Sequence, residues 1–472
     1  MSVLGSLLAD LLKRGNSRAE SPTTPVISPS AVPAIARAQG GLEAGEPTAR
    51  PAPAMRDRRT VVLLSAHGQN DAITGLLGEY AVLLKNSGFK TLAFDLSARD
   101  FNAASIVEAL ERGDVAFALS YLGIGCDLRL HGADGTAEVN AWDHFEVPVL
   151  RLNGDIPAYF PARHTPTPAI SANIYYAREF HHYAERWIGD GRTGVLNVHR
   201  TPFPICCIDR SAVDRGRRRS GKLVFLKNGN SPQELMDLWQ KQLPSSVARL
   251  LVEICSDLRS PCLGSSPVFL DDLVEDALAS RGYSRSLPSG LMHLLVAQID
   301  DYFRRVKSLM IGEALRDFPV IIQGSHWGHL DLSGRRATLV PGTDFKQSLE
   351  VYASQLGVID MSPNITSAPH DRVTRSAGMY ALCLTNQQVW LREQFPGFER
   401  LSFEFSAESI QDRVADVLRS PDDYLDLAMS FGTRARQAWS GDRVVALFTE
   451  VSQLLATLHA SRKPILQPYV VQ

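Results

Sequence analysis

The sequence predicts an α/β protein of two Rossmann-like domains facing a cleft, with a helical insertion and a helical C-terminal tail. Three observations carry that expectation. Short, β-branched apolar runs alternate with helical apolar periods from Thr60 to about residue 200, the pattern of a parallel sheet covered on both faces. The alternation restarts at Val320. Between the two series, residues 231–317 show helical spacing almost throughout.

The elements follow in order. MSVLGSLLADLLKRG opens the chain, and Asp10 interrupts its apolar residues while the basic pair follows them, so it does not read as a signal peptide. An amphipathic helix fits it better, and residues 1–14 are a candidate for peripheral contact with a membrane surface or a partner. Residues 16–58, rich in Pro, Ala, Ser and Gly, read as a flexible linker, which makes 1–58 one segment. An N-terminal Rossmann-like (acceptor) domain is expected over 59–220. Its strands are TVVLLSAHG, FKTLAFDLS, VAFALSYLG, VPVLRLNGD and TGVLNVH, and its helices lie around LGEYAVLLKNSG, NAASIVEALERGD and EFHHYAERWI.

The basic run RGRRRSGK (Arg215 to Lys222) reads as a solvated loop ahead of a strand. Residues 221–318 are expected to hold a connecting strand, GKLVFLKNG, and the helical insertion. A C-terminal Rossmann-like domain spans 319–440, with strands VIIQGS, GVIDMSP, YALCLTN and LSFEF, and helices SLEVYASQL and HDRVTRSAG. A C-terminal helix and tail occupy 441–472.

Composition excludes several classes. Of 472 residues, 44% are hydrophobic and 21% charged, and the formal net charge is −2, so no global field draws the chain to nucleic acid. Six scattered cysteines form no C-x-x-C pair, which fits reduced thiols in a cytoplasmic protein, peripheral at the inner membrane if residues 1–14 bind there. No run of 18 apolar residues exists. No D-x-D or metal-ligand spacing appears, and no G-x-G-x-x-G follows Thr60–Ser65 or Val320–Ser325, which disfavours a dinucleotide oxidoreductase.

The stretch GVIDMSPNITSAPHDRVTRSAGMYALCLTNQQVWL, residues 357–391, is the most specific. Its parts are the SPN turn (Ser362 to Asn364), the triplet His370-Asp371-Arg372 opening a helix, LTN (Leu384 to Asn386) and Trp390-Leu391. It resembles the CgeB-like, spore-maturation-type bacterial glycosyltransferases of the GT-B superfamily. Upstream, VIIQGSHWG resembles that group's strand-Gly-x-x-Trp, and VPVLRLNGDIP its strand and acidic turn. The resemblance covers most of residues 60–440. The chain departs from the pattern at Tyr380, where the family often has Gly, at Asn386, where it has Asp, and at Arg375, near where many such enzymes place a ribose-binding Glu.

The resemblance implies metal-independent sugar transfer, without a cofactor, from a nucleotide-sugar donor to an acceptor hydroxyl on a glycan, a lipid-linked glycan or a protein such as flagellin. The expected helix start at His370 suits a diphosphate, because unpaired backbone N–H groups and the dipole favour an anion there. Arg372 adds a two-pronged, charge-assisted contact. His370 is a donor to phosphate or a sugar hydroxyl, and Asp371 a helix cap or a sugar-hydroxyl ligand. The SPN residue Asn364 completes the expected donor set on this side. Gly324 and Ser325 allow close backbone approach after a strand, Trp327 offers a stacking or a packing face, and Lys227 a phosphate counter-charge. For the base, His67 after the first strand competes with Asp155 in NGDIP. A nucleotide-sugar epimerase and a non-catalytic nucleotide- or glycan-binding protein are the alternatives.

Overall fold

The computed structural model describes residues 58–66, 72–131, 138–165, 167–188, 196–266, 268–283 and 287–462. The first domain holds β1 (Thr60–Ser65), α1 (Ala72–Asn86), β2 (Lys90–Asp95), α2 (Ala103–Glu111), β3 (Val115–Tyr121), β4 (Arg129–His131) and β5 (Glu138–Asn140). It continues with α3 (Ala141–His144), β6 (Val149–Asn153), β7 (Ser171–Tyr175), α4 (Arg178–Trp187) and β8 (Leu196–His199). Six strands form a parallel sheet in the order β2-β1-β3-β6-β7-β8, and β4 and β5 make a separate antiparallel hairpin. Complete burial of Val61, Val62 and Leu64 on β1 explains the unbroken apolar run: both sheet faces are covered.

The second domain begins with α5 (Arg215–Ser220) and β9 (Leu223–Leu226). Helices α6 (Pro232–Gln242), α7 (Ser245–Asp257), α8 (Arg259–Leu263), α9 (Leu270–Ala279) and α10 (Ser289–Leu315) then form the insertion. The chain returns through β10 (Ile321–Gln323), β11 (Thr338–Val340), α11 (Phe345–Ser354), β12 (Gly357–Ile359), α12 (Asp371–Met379) and β13 (Leu382–Asn386). It ends with α13 (Val389–Gln394), β14 (Ser402–Phe403), α14 (Ala407–Arg419), α15 (Pro421–Ala438) and α16 (Gly441–Arg462). The second sheet, also parallel, has the order β11-β10-β9-β12-β13-β14. The strand read as a connection, β9, therefore sits inside this sheet between β10 and β12, and the helices interrupt the domain after its first strand. Their apolar core, from Leu251 and Ile254 on α7 to Met292 and Leu295 on α10, is continuous with Tyr175, Phe180 and Tyr183 of the first domain.

The basic run and the tail also depart from the sequence reading. The basic run is a short helix rather than a solvated loop. Asp214 caps it by accepting from the Arg217 N–H at 2.9 Å, and its outer arginines pair with Asp426, Glu350 and Asp422. Arg218 points inward and donates to the carbonyls of Met379 (2.8 Å) and Tyr380 (2.6 Å), satisfying the C-terminal end of α12. The tail is also more than an appendage. Val444, Val445, Phe448 and Val451 of α16 are buried with Val61, Leu77 and Tyr80 of the first domain, so the last helix crosses back. Among the described residues no helix is long and apolar enough to cross a membrane.

Polar contacts add to these apolar ties between the domains. The buried Glu179 of α4 accepts from the Thr366 N–H at 2.8 Å and the Ser367 N–H at 3.0 Å. Tyr159 donates to Asp300 of α10 at 2.8 Å, and the Ile205 N–H donates to the Thr374 carbonyl at 3.2 Å.

Candidate functional site

Each parallel sheet ends its strands toward the other domain, and the polar residues gathered there come from those carboxyl ends. Tyr121 closes β3, Asp155 follows β6, Tyr176 follows β7 and Arg200 follows β8. From the second sheet come Lys227 after β9 and Asp360 after β12, with α12 beginning nearby. Long-range electrostatics show that the two groups meet. Burial, the nearby Asp155 carboxylate and then Asp371 of the other domain all push up the Tyr176 phenol. Burial, with the Arg372 and Arg304 guanidiniums and partly offset by Asp360 and Asp371, depresses the Lys227 ammonium to about 8. Arg304 belongs to α10, so the insertion supplies the third cation.

The start of α12 is organised by Asp360. This carboxylate is fully buried, yet it accepts from Thr385 Oγ1 at 3.0 Å and Ser362 Oγ at 3.3 Å, and it lies 2.9 Å from His370 Nδ1 and 3.3 Å from Arg372 Nη1. Burial opposes its charge, but His370 and Arg372 outweigh that and hold its pKa below the usual carboxylate range. His370 is the N-cap residue, with extended backbone and no side-chain cap. Burial opposes protonation of its ring, and Asp371 and Asp360 together overcome it, raising the pKa. With Nδ1 held between carboxylates, Nε2 makes no hydrogen bond among the described residues.

Asp371 does not cap the helix. Its Oδ1 lies 2.9 Å from His370 Nδ1 and its Oδ2 accepts from Arg375 Nη2 at 3.0 Å, because two flanking cations attract it more strongly than the backbone N–H groups do. Arg375, in turn, donates to Ser348 Oγ at 2.6 Å and stacks 4.4 Å over Phe345, a buried structural role. Tyr380, where the resembled family has Gly, ends α12 in the left-handed region at φ 51°. Its hydroxyl accepts from Arg436 at 2.7 Å, a contact that holds the strained residue in place.

The predicted donor residues therefore divide. Lys227, His370, Asp371 and Arg372 converge. Lys227 Nζ and Arg372 Nε and Nη2 make no hydrogen bond among the described residues, and Arg304 Nη2 is buried without a partner. Asn364 does not join them: its amide donates to Asp300 Oδ1 at 2.8 Å, and its oxygen accepts from Lys307 at 2.7 Å. Both ends of that side chain are spent tying the SPN turn to α10. Trp327 takes the packing role, not the stacking one. It is 2% exposed, donates to the Lys227 carbonyl at 2.8 Å and lies against Gly229, where a Cβ would come within 2.0 Å of the indole. Gly324 is required by the protein's own backbone, since a Cβ there would meet the Lys227 carbonyl oxygen at 2.1 Å. Ser325 is exposed, and both its N–H and hydroxyl donate to Asn228, at 3.0 and 3.1 Å.

Of the two candidate bases, His67 lies outside the described residues. Asp155 is 39% exposed, and its Oδ1 accepts from Arg304 Nη1 at 3.2 Å while Oδ2 carries no hydrogen bond among the described residues. Sequence reading missed Asp360, Arg304, Tyr121 and Arg200. Among the described residues one group has metal-ligand spacing, His182 with Asp271 and Asp272, and Arg186 already pairs with both carboxylates.

Neither a protein-family model nor a curated protein matches the sequence. Solved structures of similar shape include the beta-glucosyltransferase (BGT) of phage T4 in complex with UDP-glucose, at 6% identity and a TM-score of 0.46, covering 83% of this chain and 99% of that one. An alpha-glucosyltransferase in complex with UDP and a 13-mer DNA aligns at 8% identity and a TM-score of 0.44, over 84% of this chain and 99% of that one. A glycosyltransferase from Rickettsia africae reaches 12% identity and a TM-score of 0.38 over the same shares. Likeness at this level leaves function to be read from the chain's own residues.

Proposed function

We propose that the chain is a glycosyltransferase of the GT-B type, moving a sugar from a nucleotide-sugar donor to an acceptor hydroxyl without a metal ion. One observation carries the reading: Lys227, Arg304 and Arg372, from three separate segments, crowd together at the carboxyl ends of the second sheet with hydrogen-bonding capacity unspent. Arg304 and Arg372 are held charged by Asp300, Asp371 and Asp360, whereas Lys227 has no such partner among the described residues and its charge is disfavoured, a cost that a diphosphate would relieve. In this reading Lys227 and the free prongs of Arg372 hold the diphosphate, and the first turn of α12 and His370 Nε2 add donors. All of them stabilise the charge that grows as the sugar departs. Asp155 Oδ2, or His67 from the loop after β1, takes the acceptor proton.

The stretch over residues 357–391 supports a CgeB-like specialisation within this class. A cytoplasmic enzyme acting on a surface glycan, a lipid-linked glycan or a protein such as flagellin fits that specialisation. The test is a thermal-shift screen of nucleoside diphosphates and nucleotide-sugars on wild type and Arg372→Ala. Saturable stabilisation of wild type by one nucleotide, weakened in the variant, supports the reading. A wild-type melting curve indifferent to every nucleotide overturns it. Donor turnover with and without EDTA tests metal independence, and donor isomerisation with no acceptor present would favour the epimerase alternative.

A further inference from the structure

The first-domain wall of the cleft has a cation that the donor reading does not use. Arg200 follows β8, and its guanidinium lies 5.8 Å from the Tyr80 ring, 5.8 Å from Tyr176 and 5.6 Å from Phe203. Its one side-chain hydrogen bond is to the carbonyl of the next residue, Thr201, at 3.1 Å. No carboxylate pairs with it among the described residues. It follows a strand of the first sheet, whereas Lys227 and Arg372 lie on the second domain. It acts on Tyr121, whose phenol also feels Asp155 and, more weakly, Asp371.

Tyr121 thus stands between the candidate base and the donor side, with Arg200 behind it. The Tyr121 hydroxyl abuts the turn at Gly154 so closely that a Cβ there would come within 1.9 Å of it. That hydroxyl makes no hydrogen bond among the described residues. Half-buried Tyr121 and Tyr176 present apolar ring and polar tip together, the pairing that sugar rings with hydroxyls require.

We infer that Tyr121, Tyr176 and Arg200 form an acceptor subsite for a sugar bearing an anionic group, a carboxylate or a phosphate. The inference rests on the glycosyltransferase reading for the word acceptor, and on Arg200 alone for the anion. A guanidinium without a carboxylate partner, held against three aromatic rings, is ordered in advance and binds an oxyanion with two prongs. The sugar hydroxyls then fall beside Asp155.

The test uses the full chain and defined probes: a glucuronate-terminated oligosaccharide, a mannose 6-phosphate-terminated one and their neutral counterparts. Each is titrated with and without a saturating nucleoside diphosphate. The expected result is at least tenfold tighter binding of an anionic probe than of its neutral counterpart. That preference disappears in Arg200→Gln, persists in Arg200→Lys in part, and persists in Lys227→Met. Which of the two acidic probes binds better separates carboxylate from phosphate recognition. Equal binding of charged and neutral probes overturns the inference. So does a preference that survives Arg200→Gln but vanishes in Lys227→Met, which would place the anion in the donor pocket. Nucleotide binding is read in the same titrations, so failure of the donor reading shows separately as a nucleotide that does not bind.

Discussion

Replacing Lys227 with Met should stabilise the protein and weaken its hold on a nucleoside diphosphate. The side chain is partly buried, and its pKa is lowered from an ordinary 10.5 to about 8, by burial first and then by Arg372 and Arg304. At about 1.4 kcal/mol per pKa unit, a charged lysine here costs the folded state about 3 kcal/mol, discounted to about 1–3 kcal/mol for partial exposure. The unfolded chain holds the proton up to its ordinary pKa, whereas the folded chain gives it up near 8. The cost is therefore fully present below about pH 8 and is relieved as pH rises toward 10.5.

Lys227→Met removes that cost at neutral pH, so its melting temperature should rise by a few degrees, with a flatter pH dependence between 8 and 10. An anion reverses the balance by favouring the charged lysine. Wild-type affinity for a diphosphate should thus fall as pH climbs above about 8, and the variant should bind it about 10–100-fold more weakly at pH 7, the value of one charge-assisted hydrogen bond. Calorimetric titration and thermal melts across pH measure both quantities. A variant that melts lower and binds the nucleotide unchanged would show Lys227 to be a structural ion-pair member, refuting the reasoning.

Arg372→Lys should lose most of the nucleotide affinity that Arg372→Ala loses, because a single ammonium cannot reproduce two prongs; dissociation constants of both variants check this. Asp360→Asn should cost about 3–5 kcal/mol in denaturant unfolding, since it leaves His370 and Arg372 without their buried counter-charge. The raised pKa of His370 stabilises the fold below the unfolded value of 6.5, and that stability should be lost as pH rises through the folded pKa. Melts of wild type and His370→Gln should converge at the alkaline end. Trp327→Phe should lower stability by about 1–3 kcal/mol through lost packing, with nucleotide affinity unchanged by titration.

Most of the fold was readable because buried parallel strands leave unbroken apolar runs, as in β1, β3 and β9. The strand β7 escaped notice because Ser171, Asn173 and Tyr175 face a buried polar row, with Asn173 bonded to the His164 carbonyl and to Asn197. Three-residue β11 has two exposed members and no pattern to see. Of the site, the α12 start was readable, since a Pro-His-Asp-Arg string after a turn announces a helix. Asp360 was not, because an acid ending a short strand looks like any solvated turn, and only the fold brings Thr385 and His370 onto it. Arg304 was hidden within a long helix, where spacing does not say which polar residue meets another domain. Asn364 misled for the complementary reason: an Asn in a turn carries no mark of what it bonds.

An acid at the mouth of a helix proposed to bind an anion opposes that anion, and the arrangement around Asp371 resolves the conflict. Arg375, Asp371, His370, Asp360 and Arg372 form a ladder of alternating sign, each step closed by a contact between 2.9 and 3.3 Å. With His370 protonated the ladder holds three positive and two negative groups. Arg375 anchors the inner end, bonded to Ser348 and stacked on Phe345, so the surplus charge resides with His370 and Arg372. In the proposed function Asp371 would therefore act on a phosphate through the proton it favours on His370, not through its own charge. The two carboxylates favour the protonated imidazole, and its Nε2 carries no hydrogen bond among the described residues. Remove either one and the helix keeps its dipole but loses a charge, so under the proposed function the acids beside the helix serve the diphosphate rather than oppose it.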